Sequence, residues 1–176
     1  MKILLIILGV AAAGVGAAAV TDKPLEVVPH VDIARYLGTW YEIATIPARF
    51  QKDCVAVAAT YTLRPDGKID VLNACRLLTL DGKRKSVRGK AWVVDRATNA
   101  KLKVQFFWPF RGDYWIIGLD SEYRWAVVGS PDRNYLWILA RTGQMEERLY
   151  QELLLLIKEK GFDVSRLKRT LQPSPQ

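Results

Sequence analysis

His30 is the only histidine of the 176-residue chain, and its two cysteines, Cys54 and Cys75, have no imidazole beside them in sequence. A metal centre needs several such ligands converging on one point, and an activated thiol or hydroxyl needs a base next to it. Neither arrangement can be assembled, and haem ligation would hang on His30 alone. No Gly-rich loop opens a helix to cradle phosphate, and no pair of carboxylates is set apart by its spacing. No catalytic residue, metal or cofactor is therefore expected. What remains is a chain with no chemical constellation, which reads as a binding protein. An isomerase using Tyr61, Tyr114 or Glu42 is the enzymatic alternative, and it has no spacing signature of its own. The formal charge of +8 draws acidic partners. Its basic residues are scattered among acids, with Lys83-Arg84-Lys85 the longest cluster, which argues against nucleic acid and leaves anionic lipid headgroups compatible.

The elements that must position these groups are strands. From Gly38 onward the chain breaks into short stretches rich in Val, Ile, Tyr, Trp and Thr, separated by Gly, Pro, Asp and Asn. Strands are expected over 38–46, 55–63, 68–77, 86–95, 101–108, 113–120, 123–129 and 135–141. The connections are mostly short, such as Pro65-Asp66-Gly67, Arg111-Gly112 and Ser121-Glu122. Parallel neighbours need crossovers of about a dozen residues or more, so these strands run antiparallel as a meander. About eight such strands cover their edges by closing into an up-and-down barrel; a two-sheet sandwich competes, but its Greek-key connections require longer loops. The fold class is thus all-β, an eight-stranded antiparallel barrel with one C-terminal α-helix packed outside. Thr142 serves as the expected N-cap of that helix, about 144–160, with Leu149, Leu153, Leu156 and Ile157 as its apolar stripe and Gly161 as its stop. Residues 162–171 have the makings of a short strand before a polar tail.

Ahead of the barrel, Lys2, an uncharged run over 3–20 and Ala17-Ala18-Ala19 describe a secretory signal peptide over 1–19, cleaved after Ala19. A retained membrane anchor is the competing reading, and the Ala/Gly-rich second half argues against it. The cleavage region has no cysteine to carry a lipid. Residues 20–31 read as an arm, with order beginning near Asp32 and the barrel domain spanning 32–176. Export would permit Cys54 and Cys75 to form a disulfide. They flank the turn Arg64-Pro65-Asp66-Gly67 on two arms of one hairpin. Strict alternation does not set them face to face, so pairing requires a bulge or a loop-resident Cys54.

Three motifs carry a family resemblance. Gly38-Thr39-Trp40-Tyr41-Glu42-Ile43-Ala44 resembles the first-strand G-x-W signature of lipocalins. Gly129-Ser130-Pro131-Asp132-Arg133 resembles their second conserved loop, and Arg141 after Leu136-Trp137-Ile138-Leu139 their third. Their order and spacing are similar to those of the bacterial lipocalin group related to apolipoprotein D, over about residues 31–162. The resemblance implies that Gly38, Trp40, Asp132, Arg133 and Arg141 are architectural, with Trp40 plugging the closed end beneath Arg141. It also implies an inward-facing ligand wall of Val57, Ala59, Tyr61, Val71 and Asn73 on the early strands and Val104, Phe106, Tyr114, Ile116 and Trp137 on the later ones. The implied ligand is a fatty acid or lysophospholipid, held for transport, storage or scavenging; a non-binding structural or interaction module with a filled barrel is the alternative reading. The implied setting is the periplasm, with peripheral membrane contact or outer-membrane association, as monomer or homodimer. The aromatic run 106–110 reads as a lip at the barrel mouth, as a membrane-touching edge, or as an apolar cluster beneath its loop.

Overall fold

The computed structural model describes residues 23–47 and 53–174. The expected signal peptide over 1–19, its cleavage after Ala19 and the start of the arm lie outside the described residues. A short helix, α1 (Ile33–Tyr36), precedes eight strands: β1 (Gly38–Thr45), β2 (Cys54–Leu63), β3 (Ile69–Leu77), β4 (Arg84–Val93), β5 (Lys101–Gln105), β6 (Gly112–Leu119), β7 (Trp125–Gly129) and β8 (Leu136–Ala140). Each strand pairs antiparallel with the next, and β1 pairs with both β8 and β2, so the sheet closes on itself. Helix α2 (Glu147–Glu159) follows, then a single 3-10 turn (Val164–Arg166) and a two-residue strand, β9 (Lys168–Arg169).

Pairing is irregular at four seams, with register shifts at β2–β3, β1–β8 and β6–β7 and a divergence at β1–β2; the two on either side of β2 bear on the cysteines and the C-terminus. Strands β1 and β2 pair only from Gly38↔Tyr61 to Tyr41↔Ala58 and then diverge. The C-terminal segment fills the gap. β9 pairs with β1, Ala56 N–H donates to the Leu171 carbonyl at 2.7 Å, and Gln172 Nε2 donates to the carbonyls of Glu42 and Val57, each at 2.8 Å. On the far side of β2 a register shift between Val55 and Ala58, with Ala56 at a φ of 49°, supplies the bulge that pairing of the cysteines required. Cys54 and Cys75 form a disulfide with their Cα atoms 5.6 Å apart. It closes a loop with a sequence separation of 21 residues, so replacing both cysteines by alanine is expected to cost about 2–4 kcal/mol of unfolding free energy. Urea unfolding reads this directly, and an unchanged midpoint would contradict it.

The helix differs from its sequence reading at the start. Thr142 does not cap it: its hydroxyl donates to the Gln144 carbonyl, and the N-cap is Glu146, with no side-chain cap bond. The turn at 142–145 instead carries the chain off the barrel floor before the first helical residue. The buried stripe is Tyr150, Leu153 and Ile157, with Leu149 and Leu156 partly buried against it. It packs on Ile43, Ala44, Ile138 and Val127, the outward side of β1, β8 and β7.

The arm is also ordered further upstream than Asp32. Leu25 and Val31 are buried, Val28 N–H donates to the Ile116 carbonyl and Val31 N–H to the Thr98 carbonyl. Apolar residues every three positions (Leu25, Val28, Val31) give the arm one face to lay on the barrel, which a search for strand or helix periods passes over. Asp32 then caps α1, its Oδ1 accepting from the backbone of Ala34 at 2.9 Å.

Candidate functional site

The barrel has a closed and an open end. At the closed end Gly38 adopts a φ of 91°, a conformation that costs an L side chain strain, and a Cβ there would lie 3.4 Å from Arg141 Nη1. Two residues on, Trp40 is fully buried. Its indole N–H donates to the Tyr36 carbonyl at 2.8 Å, and the Arg141 guanidinium sits 3.9 Å from the ring centroid. Arg141 spends its donors on the carbonyls of Thr39, Arg35 and Tyr123, tying β1, α1 and the β6–β7 turn into one floor. At the opposite end Asp132 caps its own turn, accepting from Ser130 and Asn134. Arg133 donates to the carbonyls of Lys160 and Lys23, fastening the end of α2 and the start of the arm to the β7–β8 loop.

Above Trp40, three phenols meet. The Tyr114 hydroxyl lies 2.8 Å from that of Tyr36 and 3.0 Å from that of Tyr61. Burial away from water penalises the phenolate, pushing Tyr61 up to about 12 and Tyr36 and Tyr114 well above the ordinary tyrosine value. Tyr114 is raised further by the two phenols facing it. All three stay neutral donors and acceptors under any physiological condition. Their values are raised in the folded state, so the stability they confer is complete below about pH 10 and is lost as pH climbs toward 12. Absorbance titration at the phenolate band checks this: these three should resist ionisation until the barrel opens, and the Tyr61→Phe variant should titrate one fewer late group.

The register sorts the expected wall residues into two tiers. Tyr61, Val71 and Ile116 face inward but are buried beneath the surface of the lumen, Ile116 completely. Ala59, Val104, Phe106, Tyr114 and Trp137 belong to the same inward cluster and are only partly buried. Asn73, opposite Ala59, joins this upper tier; its Oδ1 is enclosed and has no hydrogen-bond partner among the described residues. Val57 is buried at the edge of the bulge region of β2, with its carbonyl held by Gln172, and is not part of the inward apolar cluster. Glu42 finds the partner the sequence did not supply, since the Thr170 hydroxyl donates to Oε1 at 2.5 Å. Tyr36 was missed as a wall residue. Its signal was Asp32, a capping residue four positions ahead, which begins the turn that swings Tyr36 over Trp40. Gly89 was missed too: on β4 it faces Val71, and a Cβ there would strike the Phe106 ring at 2.6 Å, so the glycine makes room for that aromatic.

The aromatic run 106–110 is not a cluster beneath its loop. Phe107, Trp108 and Phe110 are among the most exposed large apolar side chains described, at the open end between β5 and β6. Among the described residues, no group of three or more His, Cys, Asp or Glu side chains converges as a metal site would require.

A closed antiparallel barrel with a braced floor, an apolar inward wall and one open end belongs to the class of calyx-shaped folds that bind small hydrophobic molecules. The profile of the Lipocalin-like domain matches residues 31–172, and the chain belongs to the lipocalin family, which binds small hydrophobic ligands. It is 46% identical over 159 residues to temperature-induced lipocalin-1 of Arabidopsis thaliana, covering 85% of this chain and 84% of that one. It is 45% identical over 152 residues to the outer membrane lipoprotein Blc of Escherichia coli K12, covering 86% and 85%. Among solved structures, insecticyanin from Manduca sexta superposes with a TM-score of 0.68 at 17% identity, covering 85% of each chain, which speaks to the fold alone.

Proposed function

We propose that the chain binds a single-chain lipid, a fatty acid or lysophospholipid, in the upper half of the calyx and carries, stores or scavenges it in the cell envelope without chemical change. The observation that carries this reading is the gradient along the inward face. The floor residues Trp40, Ile116 and Ala126 have no accessible surface, whereas Ala59, Val104, Phe106, Tyr114 and Trp137 on the inward face keep some, which supports a lumen that opens away from the floor. The apolar wall suits an acyl chain, and the unpartnered Asn73 Oδ1 can accept from a hydroxyl or ammonium group at the polar end of a ligand. Similarity to an outer membrane lipoprotein supports an envelope setting, as monomer or homodimer. The test is native mass spectrometry of the protein recovered from its own host, followed by solvent extraction. A stoichiometric acyl lipid upholds the reading; an empty protein that also takes up neither palmitate nor lysophosphatidylethanolamine in titration overturns it.

A further inference from the structure

The four most exposed large apolar side chains among the described residues are Trp108 at 85%, Phe110 at 77%, Leu78 at 71% and Phe107 at 69%. All four stand in loops at the same end of the barrel. Leu78 is in the loop joining β3 to β4, and the three aromatics are in the loop joining β5 to β6, both at the open end of the barrel and flanking β4. Scattered exposed leucines need no explanation, but apolar tips of this size gathered on one rim do.

The charges beside them are mostly basic. Lys83, Arg84 and Lys85 follow Leu78 and face Asp81 as the one acid of that loop, and Arg111 closes the aromatic loop. Trp108 shares a groove with Arg88, Lys90 and the ion pair Arg64–Asp70, which leaves Arg88 and Lys90 as its net charge. The nearest acid of the β5–β6 hairpin, Asp113, is taken by Lys103 at 2.7 Å. Tryptophan and phenylalanine tips framed by Lys and Arg are the composition that settles at a membrane–water interface, where the rings sit among headgroups and the cations meet anionic lipid.

We infer that the rim of the open end, Leu78 with Phe107, Trp108 and Phe110, docks on an anionic phospholipid surface and turns the mouth of the calyx toward it. The inference deepens the binding reading by naming where the ligand is exchanged: a lipid leaving the bilayer would pass between these tips onto Phe106 and the upper wall without crossing bulk water. A second copy of the chain is the other occupant such a patch could take, and the basic flanks disfavour it, because two like-charged rims repel on approach.

The experiment is co-sedimentation of the protein with vesicles of phosphatidylethanolamine and phosphatidylglycerol, against vesicles of phosphatidylcholine alone. It compares the wild type with Phe107→Ser/Trp108→Ser/Phe110→Ser and, separately, with Lys83→Glu/Arg84→Glu/Lys85→Glu. All carry the same N-terminus, so differences between them belong to the rim. The serine variant should bind anionic vesicles about tenfold or more weakly, and the charge reversal should abolish the preference for anionic over zwitterionic lipid. Should the serine variant fail to fold, Trp108→Glu alone reads the same step. Equal sedimentation of wild type and serine variant overturns the inference, as does a wild type that ignores both vesicles. A dimer in sedimentation velocity that dissolves in the serine variant overturns it too, in favour of a second copy. Titration with lysophosphatidylethanolamine below its micellar concentration and without vesicles reads the calyx by itself, so failure of the rim and failure of the binding reading are told apart.

Discussion

Trp40→Ala is expected to lower the unfolding free energy by about 3–5 kcal/mol, a large share of the 5–15 kcal/mol that holds a typical domain together. The indole is fully buried and cannot be replaced by collapse of its surroundings, because three independently anchored pieces meet on it. Tyr36 packs at a centroid distance of 4.9 Å and takes its N–H bond, Arg141 covers one face, and Ala59 lies opposite on β2. Arg141→Ala attacks the same floor from the other side. It leaves the part-buried carbonyls of Thr39 and Tyr123 and the exposed carbonyl of Arg35 without their donor, and a cost of about 1–3 kcal/mol follows from losing charge-assisted bonds that water replaces only in part. Lysine in its place would keep the charge but cannot fork to three acceptors while lying flat on the ring. The double variant should cost less than the sum of the two, by about 0.5–2 kcal/mol, since each has already lost the cation–π contact. Urea unfolding of the four proteins measures the cycle; strict additivity would mean that the guanidinium and the indole stabilise the floor independently.

These floor residues were the most legible part of the sequence, and the reason is physical. A glycine held at positive φ, an indole that only a closed barrel end can bury, and an arginine that must bridge carbonyls from three segments tolerate few alternatives, so they occur as recognisable strings. The meander was legible for a related reason: turn residues at short intervals leave antiparallel neighbours as the only economical connection. Strand ends were less so, because pairing partners decide them. β5 stops at Gln105 although apolar residues continue to Phe110, since beyond it the chain leaves β4 to form the rim. Tier within the lumen was not legible at all. Alternation says that Ala59 and Ile116 both face inward, but only the tilt and stagger of the closed barrel decide that one borders the lumen and the other is sealed into the floor. The bulge near Ala56 shows the limit of the rule, since strict alternation carries no sign of where a strand takes an extra residue.

Ala59→Trp is expected to weaken lysophospholipid binding by roughly a hundredfold, about 3 kcal/mol, while leaving the barrel folded. Ala59 is an inward position of the upper tier, flanked by Trp40 on β1 and Asn73 on β3, and its small side chain is only half-buried. An indole there occupies about 150–250 Å² of contact surface that several methylenes of an acyl chain would otherwise cover, each worth about 0.8 kcal/mol. Two measurements on this one variant separate the readings of the lumen. Where the lumen is open, the new ring packs into free space, the unfolding free energy stays within about 1 kcal/mol of wild type, and affinity collapses. Where the lumen is filled, the same ring has nowhere to go, overpacking costs about 1–3 kcal/mol, and there is no affinity to lose. A variant as stable as wild type that still binds as tightly would place the ligand away from the Trp40–Asn73 wall altogether. Because the substitution changes neither charge nor the exposed rim, vesicle docking should be untouched by it, and the two halves of the proposed cycle, capture at the membrane and storage in the calyx, become separable in a single protein.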